Sequence, residues 1–494
     1  MSGLFRTKPI DQLLESRAES GTRLRRTMGV LALVSLGIGA VIGSGIFILT
    51  GTAAAGQTMT YSSVLNAPLL DLIREGSQAS SLRGRPGAGP GISLSFLLVA
   101  VVCGFAALCY AELASMIPIA GGAYTYAYAA LGEVVAWIIG WDLILEYAVS
   151  NMAVAVGFSA HVNDVLERFG LALPAALSEP TFLNGAFTGH INLAAFVIIF
   201  ILTALLVRGL RESVTANNVM VVVKVAVILL FLLVAGRYVD PSNWRPFFPN
   251  GLPGVMSGAA IVFFTYIGFD SVSTAAEECR NPQRDLPLGI ILTLAVCAVL
   301  YAAVALVLTG VAPWQTLDNA APVVRVLQNL GEPTVRWLVA IGALTGMISS
   351  LLVFQYGQAR IWFAMSRDRL LPRAFSRVHP RFRTPHVSTW VAGFAVGLPA
   401  MVWDIGTFAD LSNIGTLFAF VVASLAVIIL RRTQPDRPRG FRVPLVPWLP
   451  LISVFACAAL MLSLPLQTWL LFFLWLIVGL GIYFFYSRPN LQRE

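Results

Sequence analysis

The stretch Gly37-Ile38-Gly39-Ala40-Val41-Ile42-Gly43-Ser44-Gly45-Ile46-Phe47 lies in the middle of the first long apolar run of the chain. Glycine lowers helix propensity and permits backbone conformations that other residues avoid, so the stretch predicts a helix break at Gly43-Ser44-Gly45. Close packing is the alternative, because Gly39 and Gly43 have the spacing of small residues at a helix–helix contact. Taken alone, the stretch fits close packing at least as well as a break.

A second interrupted stretch, Phe263-Phe264-Thr265-Tyr266-Ile267-Gly268-Phe269-Asp270-Ser271, puts a glycine and a carboxylate near the middle of the sixth apolar run. If runs one to five and six to ten are two repeats, the two stretches occupy matching positions. Interrupted helices at matching positions indicate the binding site of a transporter, because unwound backbone at that depth must be buried or line a wet cavity. The pair therefore favours breaks.

The composition predicts a polytopic membrane protein. Of the 494 residues, 57% are hydrophobic and 12% are charged, and the mean hydropathy is +0.78; soluble proteins carry about 25% charged residues. A helical span needs about 20 apolar residues, which is longer than any barrel strand. On that basis we predict twelve spans, at 30–56, 92–117, 133–158, 190–207, 213–236, 253–279, 287–311, 333–361, 387–403, 407–430, 448–464 and 468–486.

The basic residues predict that both termini are cytoplasmic, because cytoplasmic loops carry the excess of Lys and Arg. The residues concerned lie before the first run, after the eighth and after the tenth: Arg6, Lys8, Arg17, Arg23, Arg25 and Arg26; Arg360, Arg367, Arg369, Arg373, Arg377, Arg381 and Arg383; Arg431, Arg432, Arg437, Arg439 and Arg442. The net charge of +8 is thus explained by topology, and nucleic-acid binding is left without support.

The same reading divides the chain into five parts. They are a cytoplasmic tail (1–28), a first five-helix repeat (29–236) with an external insert (57–91), a second five-helix repeat (253–431), two accessory helices (448–486) and a short cytoplasmic tail (487–494). The insert, rich in Gly, Ser and Pro at its end, is interpreted as a flexible surface segment. Residues 362–385 mix Arg with apolar side chains and suggest an amphipathic helix at the cytoplasmic face, although the arginines could equally serve only to fix topology.

The two breaks predict a site that suits a zwitterion. Free amides of Gly43, Ser44 and Gly45, at the positive end of a half-helix, can donate to a carboxylate. The first half of the sixth run ends with unpaired carbonyls around Phe264, Thr265 and Ile267. These carbonyls can accept from an ammonium. Backbone groups therefore suffice to bind both ends of an α-amino acid.

Lys224 is the most unusual ionisable residue, because it lies midway along the fifth apolar run and only one other lysine, Lys8, exists in the chain. An intramembrane charge is a functional candidate, and an ammonium can lose its proton when desolvated whereas a guanidinium effectively cannot. We therefore predict that Lys224 titrates. The alternative is a static bridge that ties helices together through backbone carbonyls.

Carboxylates in the apolar runs are further candidates. Asp142 and Glu146 lie one turn apart on one face and could contact substrate, Lys224 or a polar network; interhelical hydrogen bonding is as good an explanation. Asp270 could stabilise an ammonium, but capping the second half-helix is the simpler role. Glu277 and Glu278 are assigned to an inner gate or to pairing with Arg280 and Arg284.

Five motifs give the chain a family resemblance. Gly43-Ser44-Gly45-Ile46-Phe47 resembles the GSGIF signature of the amino acid–polyamine–organocation superfamily. Four further segments resemble the bacterial cationic-amino-acid-transporter branch of that superfamily: Cys109–Leu113, Ala120–Tyr126, Ile138–Tyr147 and Gly268–Asp270. The resemblance implies an all-α membrane protein with a LeuT-like 5+5 inverted repeat, two extra helices, alternating access and amino-acid uptake.

The resemblance also implies roles for residues. The amides from Ile42 to Ile46 would bind the substrate carboxylate, and the carbonyls of Phe264, Thr265 and Ile267 its amine. Lys224 would replace a sodium ion between the fifth, first and eighth runs, which implies proton coupling without sodium. No cofactor or metal is expected.

Met347 resembles the residue at the side-chain end of the pocket. A thioether offers a cationic tail no strong acceptor, so we expect neutral, small or aliphatic amino acids; ordinary core packing is the alternative for Met347. A cationic amino acid or polyamine transporter or exchanger is the alternative function. An enzyme is not expected. The chain has no HExxH motif, and a G-x-S-G nucleophile motif fails because Ile42 occupies the first glycine position. We expect a plasma-membrane location, and a small single-span membrane partner is left open.

Overall fold

The computed structural model describes residues 7–12, 28–57, 65, 67–75, 85–119, 121–167, 169–183, 186–208, 210–319, 321–382, 384–403 and 405–492. This part of the chain is mostly helical. Its two β-ribbons have two residues per strand and pair antiparallel: β1 (Gly56–Gln57) with β2 (Arg85–Pro86), and β3 (Phe182–Leu183) with β4 (Ala186–Phe187).

The helices of the first half are α1 (Val30–Val41), α2 (Ser44–Ala55), α3 (Leu69–Glu75), α4 (Ile92–Met116), α5 (Ala123–Ala130), α6 (Glu133–Glu167), α7 (Ala175–Ser178), α8 (Leu193–Arg208) and α9 (Leu210–Ala235). Those of the second half are α10 (Gly251–Val262), α11 (Ser271–Thr274), α12 (Pro282–Val311), α13 (Pro322–Asn329), α14 (Pro333–Arg367), α15 (His386–Ala400), α16 (Ile405–Thr433), α17 (Trp448–Leu462), α18 (Leu466–Ile482) and α19 (Arg488–Gln492). Short 3₁₀ turns join several of them.

Within the described ranges, eight helical segments are long and apolar enough to cross a membrane, and the bent pair α1–α2 would make a ninth. Helices α8 and α17 are apolar but shorter. Helix occupies part of each of the twelve predicted intervals, although fewer segments meet the length and hydropathy test. The chain is therefore a multi-pass membrane protein, and the count of twelve stays a prediction.

Apolar side chains cover much of the outer surface. On α9, Val222 is 68% exposed and Leu233 is 69% exposed, whereas Lys224 on the same helix is fully buried. Inside, α12 packs along α4, and α6 packs against both α14 and α16. A surface of this kind is stable only in lipid, where no hydrophobic effect penalises exposed aliphatic groups.

Stacked indoles fix α18 to α6. The rings of Trp141 and Trp475 stack with centroids 4.4 Å apart. Each indole N–H donates to the backbone carbonyl of the other residue, at 2.8 and 3.0 Å, and Trp137 donates to the carbonyl of Gly479 at 2.9 Å. In an apolar environment these bonds satisfy the N–H donors of all three indoles. Helix α18 is therefore held firmly against α6.

A buried acid holds the segment after α16 against α4. Glu112 accepts two hydrogen bonds from Arg431, at 2.6 and 2.7 Å, and one from the amide of Val443 at 2.7 Å. The Arg439 guanidinium lies 3.0 Å away and its side chain is 1% exposed. This geometry gives Glu112 a structural role.

Replacing Glu112 with alanine is expected to destabilise the protein by about 3–5 kcal/mol, because it leaves the buried Arg439 charge without its acid. Thermal unfolding in detergent, followed by light scattering, measures the effect. Asp11→Asn is the matched control, since it removes an ion pair with Arg437 in which the aspartate side chain is 76% exposed. Equal stability losses in the two variants would contradict the structural importance of Glu112.

Two predictions outside the helices need correction. Residues 362–385 do not form a separate amphipathic helix: α14 continues to Arg367, and only a 3₁₀ turn at Arg373–Ser376 follows before α15. In the 57–91 segment, residues 58–64, 66 and 76–84 lie outside the described residues. Its end is buried at Gly89–Gly91, so this part is packed rather than on the surface. Leu69 donates to the carbonyl of Leu464, but α3 lies at the surface, with Ile73 66% exposed.

Candidate functional site

The first apolar run is broken where the glycines predict. Helix α1 ends at Val41 and α2 begins at Ser44, and the two are bent by 44°. The amide of Ile42 donates to Ile38, and the amide of Gly43 donates to Val41, both at 3.0 Å. These two amides therefore already have acceptors, so the expectation of a free Gly43 amide is wrong in this conformation.

Three amides remain at the start of α2. Ser44, Gly45 and Ile46 form the first turn, in which N–H groups have no acceptor inside their own helix. All three residues are buried, and the Ser44 hydroxyl has no hydrogen-bond partner among the described residues. The helix dipole places partial positive charge at this point, which suits an anionic group.

The second apolar run is also broken where predicted. Helix α10 passes into a 3₁₀ turn at Phe263–Tyr266, Ile267 is extended, and Gly268 has a φ of +116° that L-residues rarely adopt. The amide of Ile267 donates to the Phe264 carbonyl at 3.3 Å. The following helix, α11, has only four residues, which leaves a long irregular stretch of buried backbone.

The two breaks touch each other. A Cβ on Gly45 would lie 3.1 Å from the Cα of Thr265, and a Cβ on Gly268 would lie 2.7 Å from the Cβ of Ala40. The Tyr301 hydroxyl on α12 lies 2.8 Å from the Val41 carbonyl and 3.0 Å from the Thr265 carbonyl, so it joins both breaks. Sequence reasoning missed Tyr301, whose only signal is a hydroxyl within an apolar run.

Lys224 lies directly against the first break. Its Nζ donates to the carbonyls of Gly39 and Ile42, each at 2.9 Å, and to the Ser349 hydroxyl on α14 at 3.3 Å. Asn217 supports this site, because Ser349 donates to its Oδ1 at 2.7 Å. The ammonium thus connects the fifth, first and eighth runs, and three acceptors satisfy its three protons.

Helix α14 passes close to the same backbone. Ser350 donates to the Ala40 carbonyl at 2.7 Å, and a Cβ on Gly346 would lie 3.7 Å from the Ile42 carbonyl oxygen. Met347 is the next residue and is fully buried. The eighth run therefore reaches the first break, while the assignment of Met347 to the side-chain end of a pocket stays a prediction.

Three buried acids surround the second break. Asp270 occupies the N-cap position of α11, yet its side chain makes no capping bond; instead its Oδ2 accepts from the Tyr147 hydroxyl at 2.9 Å. The capping role expected for Asp270 is therefore wrong. The carboxyl oxygens of Asp142 and Glu146 have no hydrogen-bond partner among the described residues. Unpaired carboxylates at this depth are costly unless they are protonated or hydrated.

Two ion pairs join the end of the sixth run to α14, and we call them the gate pairs. Glu278 lies 3.0 Å from Arg360, whose guanidinium stacks 3.5 Å above the Tyr356 ring, and Glu277 lies 3.1 Å from Arg367. The sequence left two alternatives for these acids, an inner gate or pairing with Arg280 and Arg284, which are close in sequence. The observed partners lie on α14, about 80–90 positions away.

Within the described residues, no group of three or more His, Cys, Asp or Glu side chains is arranged to hold a metal ion. The polar groups at the breaks are backbone amides, backbone carbonyls, hydroxyls, one ammonium and the carboxyl groups of Asp142, Glu146 and Asp270. Such groups bind a small polar molecule by hydrogen bonding.

Comparison with known proteins agrees with this picture. Residues 77–483 match the family model described as an amino acid permease. The chain is 46% identical to the methylthioribose transporter of Bacillus subtilis, with 99% of each chain covered. It is also 46% identical to the branched-chain amino acid permease BcaP of the same organism, over 99% of this chain and 98% of the relative. The chloroplastic cationic amino acid transporter 9 of Arabidopsis thaliana is 36% identical over 86% of this chain and 70% of its own.

Proposed function

Because the chain belongs to the amino acid permease family of the amino acid–polyamine–organocation superfamily, and is thus a transporter rather than an enzyme, we propose that it takes up neutral amino acids together with protons. The proposed frame has twelve spans in the plasma membrane, with both termini cytoplasmic. Runs one to five and six to ten form inverted repeats that alternate access around the breaks, and α17 and α18 are accessory. The contact between the two breaks is the observation that carries the proposal.

The proposed substrate lies between the breaks. Its carboxylate accepts from the amides of Ser44, Gly45 and Ile46, which have no acceptor in their own helix. Those of Ile42 and Gly43 join only if their internal bonds open. Its ammonium donates to the carbonyls of Phe264, Thr265 and Ile267, with Glu146 and Asp270 supplying negative charge nearby. This polarity favours a zwitterion over a sugar.

The substrate class is argued from Met347 and from the relatives' names. A fully buried thioether provides apolar surface and no strong acceptor, which suits an aliphatic side chain. Two relatives named as branched-chain permeases, from Bacillus subtilis and Lactococcus lactis, support this class. A cationic substrate is the alternative, supported by the names of the plant relatives. Exchange is the alternative mode of transport.

Met347→Ser should widen the accepted substrates toward longer or cationic side chains. Removing the thioether enlarges the site and adds a hydroxyl acceptor, so competition by arginine should improve by about tenfold relative to leucine. Competition assays with radiolabelled alanine in proteoliposomes measure the ratio. Met365→Ser, at another fully buried methionine of α14, is the control for general loosening. An unchanged profile in Met347→Ser would remove Met347 from the pocket.

Proton coupling is proposed for Lys224, whose ammonium bonds to Gly39, Ile42 and Ser349. While protonated, it holds the first break to α14 and biases the protein toward one conformation. Loss of the proton removes the positive charge and one of the three donors, which weakens this set of bonds and permits the other conformation, so proton and substrate movement are linked. No sodium and no resident cofactor take part.

The function is tested by a thermal-shift screen of all amino acids with methylthioribose included, because a ligand stabilises the state it binds. The best ligands are then assayed for uptake into proteoliposomes with an acidic exterior. Alanine, leucine or valine should stabilise and accumulate. Counterflow without accumulation would indicate exchange, and stabilisation by methylthioribose alone would overturn the amino-acid assignment.

A further inference from the structure

Residues 7–12, called the N-terminal segment below, are docked on the protein although they lie far from the first helix in sequence. The amide of Lys8 donates to the Tyr128 carbonyl on α5 at 3.3 Å. Ile10 is 1% exposed, and Asp11 lies 2.8 Å from Arg437 in the segment after α16. The Arg437 guanidinium holds the pKa of the Asp11 carboxyl below its ordinary value, so this pair stays charged at neutral pH.

Asp368 connects the N-terminal segment to two helices. Its Oδ1 lies 2.8 Å from Lys8 Nζ, and its Oδ2 accepts from the Tyr124 hydroxyl on α5 at 2.7 Å. The Asp368 side chain is 6% exposed, so this ion pair is screened much less than a surface pair. Removing Lys8 would leave a nearly buried carboxylate with one neutral donor.

The Lys8–Asp368 pair adjoins the gate pairs. Asp368 directly follows Arg367, which binds Glu277. The start of α5 also reaches the end of the sixth run, because a Cβ on Gly122 would lie 3.0 Å from the Ser273 hydroxyl. Asp368 therefore holds the end of α14 in place next to the ion pair between Arg367 and Glu277.

The chain returns to the same place at Met28. Its amide donates to the Glu278 carbonyl at 3.1 Å, and the Arg280 amide donates to the Met28 carbonyl at 2.9 Å. The adjoining Cys279 is fully buried and is in no disulfide. Residues on both sides of the stretch 13–27 are thus bound beside the gate pairs.

We propose that the N-terminal segment is a latch that stabilises the closed gate, and that loss of the Lys8 charge releases it. Docking of Ile10 and the Lys8–Asp368 bond require the end of α14 to hold its present position, so they favour the conformation in which Arg360 and Arg367 bind Glu278 and Glu277. Opening the gate breaks this set of contacts. The proposal rests on the proposed function only in taking the gate pairs as the gate of a transporter.

Lysine chemistry makes the latch a site of charge-removing modification. The chain has two lysines; Lys224 is fully buried, whereas the Lys8 side chain is 20% exposed. Acetylation of an amine removes its charge and its salt-bridge donor. An acetyl-donating reagent will therefore modify Lys8 and leave Lys224 untouched, and acylation of Lys8 in a cell would act in the same direction.

Cys279 supplies the test, because it adjoins Glu278 and becomes reachable only when the gate opens. Full-length protein without substrate is treated with N-ethylmaleimide, and labelling of Cys279 is followed by peptide mass spectrometry. Lys8→Met should raise the labelling rate by about three- to tenfold, the shift that loss of a partly buried ion pair gives. Acetylation of the wild-type protein should do the same, and Lys8→Met should no longer respond to acetylation.

Lys8→Arg is the matched control, because it keeps the charge and should label at the wild-type rate. Thermal unfolding checks that each variant is folded; if Lys8→Met is not, acetylation of the folded wild-type protein decides. Equal labelling of Cys279 with and without the Lys8 charge would overturn the latch. The readout needs no transport, so failure of amino-acid uptake would leave this result intact.

Discussion

Lys224→Met is expected to abolish accumulation driven by a proton gradient while counterflow of the same amino acid continues. Methionine fills a similar volume but carries no proton, so the carbonyls of Gly39 and Ile42 lose their shared donor and the break no longer responds to protonation. The stimulation of uptake by an acidic exterior, on the order of tenfold or more for a coupled transporter, should disappear. Radiolabelled uptake with and without a protonophore measures it.

Lys224→Arg separates charge from titration. A guanidinium keeps the positive charge but does not release its proton at any accessible pH, so this variant should bind substrate and fail in both accumulation and counterflow. Thermal shift with the best ligand reports binding independently of transport. Gradient-driven accumulation at the wild-type level in Lys224→Met would refute the coupling role.

Gly268→Ala is expected to remove transport and lower stability. Alanine at a φ of +116° is strained, which costs about 1–3 kcal/mol. Its Cβ would also lie 2.7 Å from the Cβ of Ala40 and 3.3 Å from the Ala40 carbonyl carbon, so the two breaks must move apart. Substrate uptake should fall by at least about a hundredfold, because misplaced binding groups cost that much. Uptake per folded molecule is the measurement.

Gly104→Ala is the control for this substitution. Gly104 lies on α4, and the nearest atom to its added Cβ is Cδ2 of Leu294 on α12 at 3.9 Å, an ordinary van der Waals contact. Alanine there should hold or raise the unfolding temperature, because it favours helix over glycine. If Gly268→Ala transported as well as Gly104→Ala, the close approach of the two breaks would be irrelevant to function.

The sequence alone predicted the parts of the structure that depend on local chemistry. Glycines at Gly43 and Gly268 mark real breaks. Gly268 has a φ of +116°, and a Cβ on Gly43 would lie 2.8 Å from the Ser350 hydroxyl oxygen. Long apolar runs mark real helices. Lys224 was recognisable because a single lysine in an apolar run is costly without partners. These signals are carried by one residue or one run, so they survive without knowledge of the fold.

The parts that depend on contacts between distant segments were missed. Tyr301 joins the breaks through its hydroxyl, and no spacing in the sequence links it to Val41 or Thr265. Asp270 was expected to cap its own helix. It accepts instead from the hydroxyl of Tyr147, which lies on the distant helix α6. Pairing of Glu277 and Glu278 with Arg280 and Arg284 was one of two alternatives and was suggested by nearness in sequence, whereas the ion pairs observed are with Arg360 and Arg367 on α14.

The stacking of Trp141 on Trp475 has a consequence for measurements on the working protein. Two indoles that donate to each other's backbone cannot separate without leaving two N–H donors unpaired in hydrocarbon. We therefore expect α18 to move together with α6 during transport. Probes placed on that pair of helices would keep a constant separation, and they offer a fixed origin from which the displacement of any other helix could be surveyed.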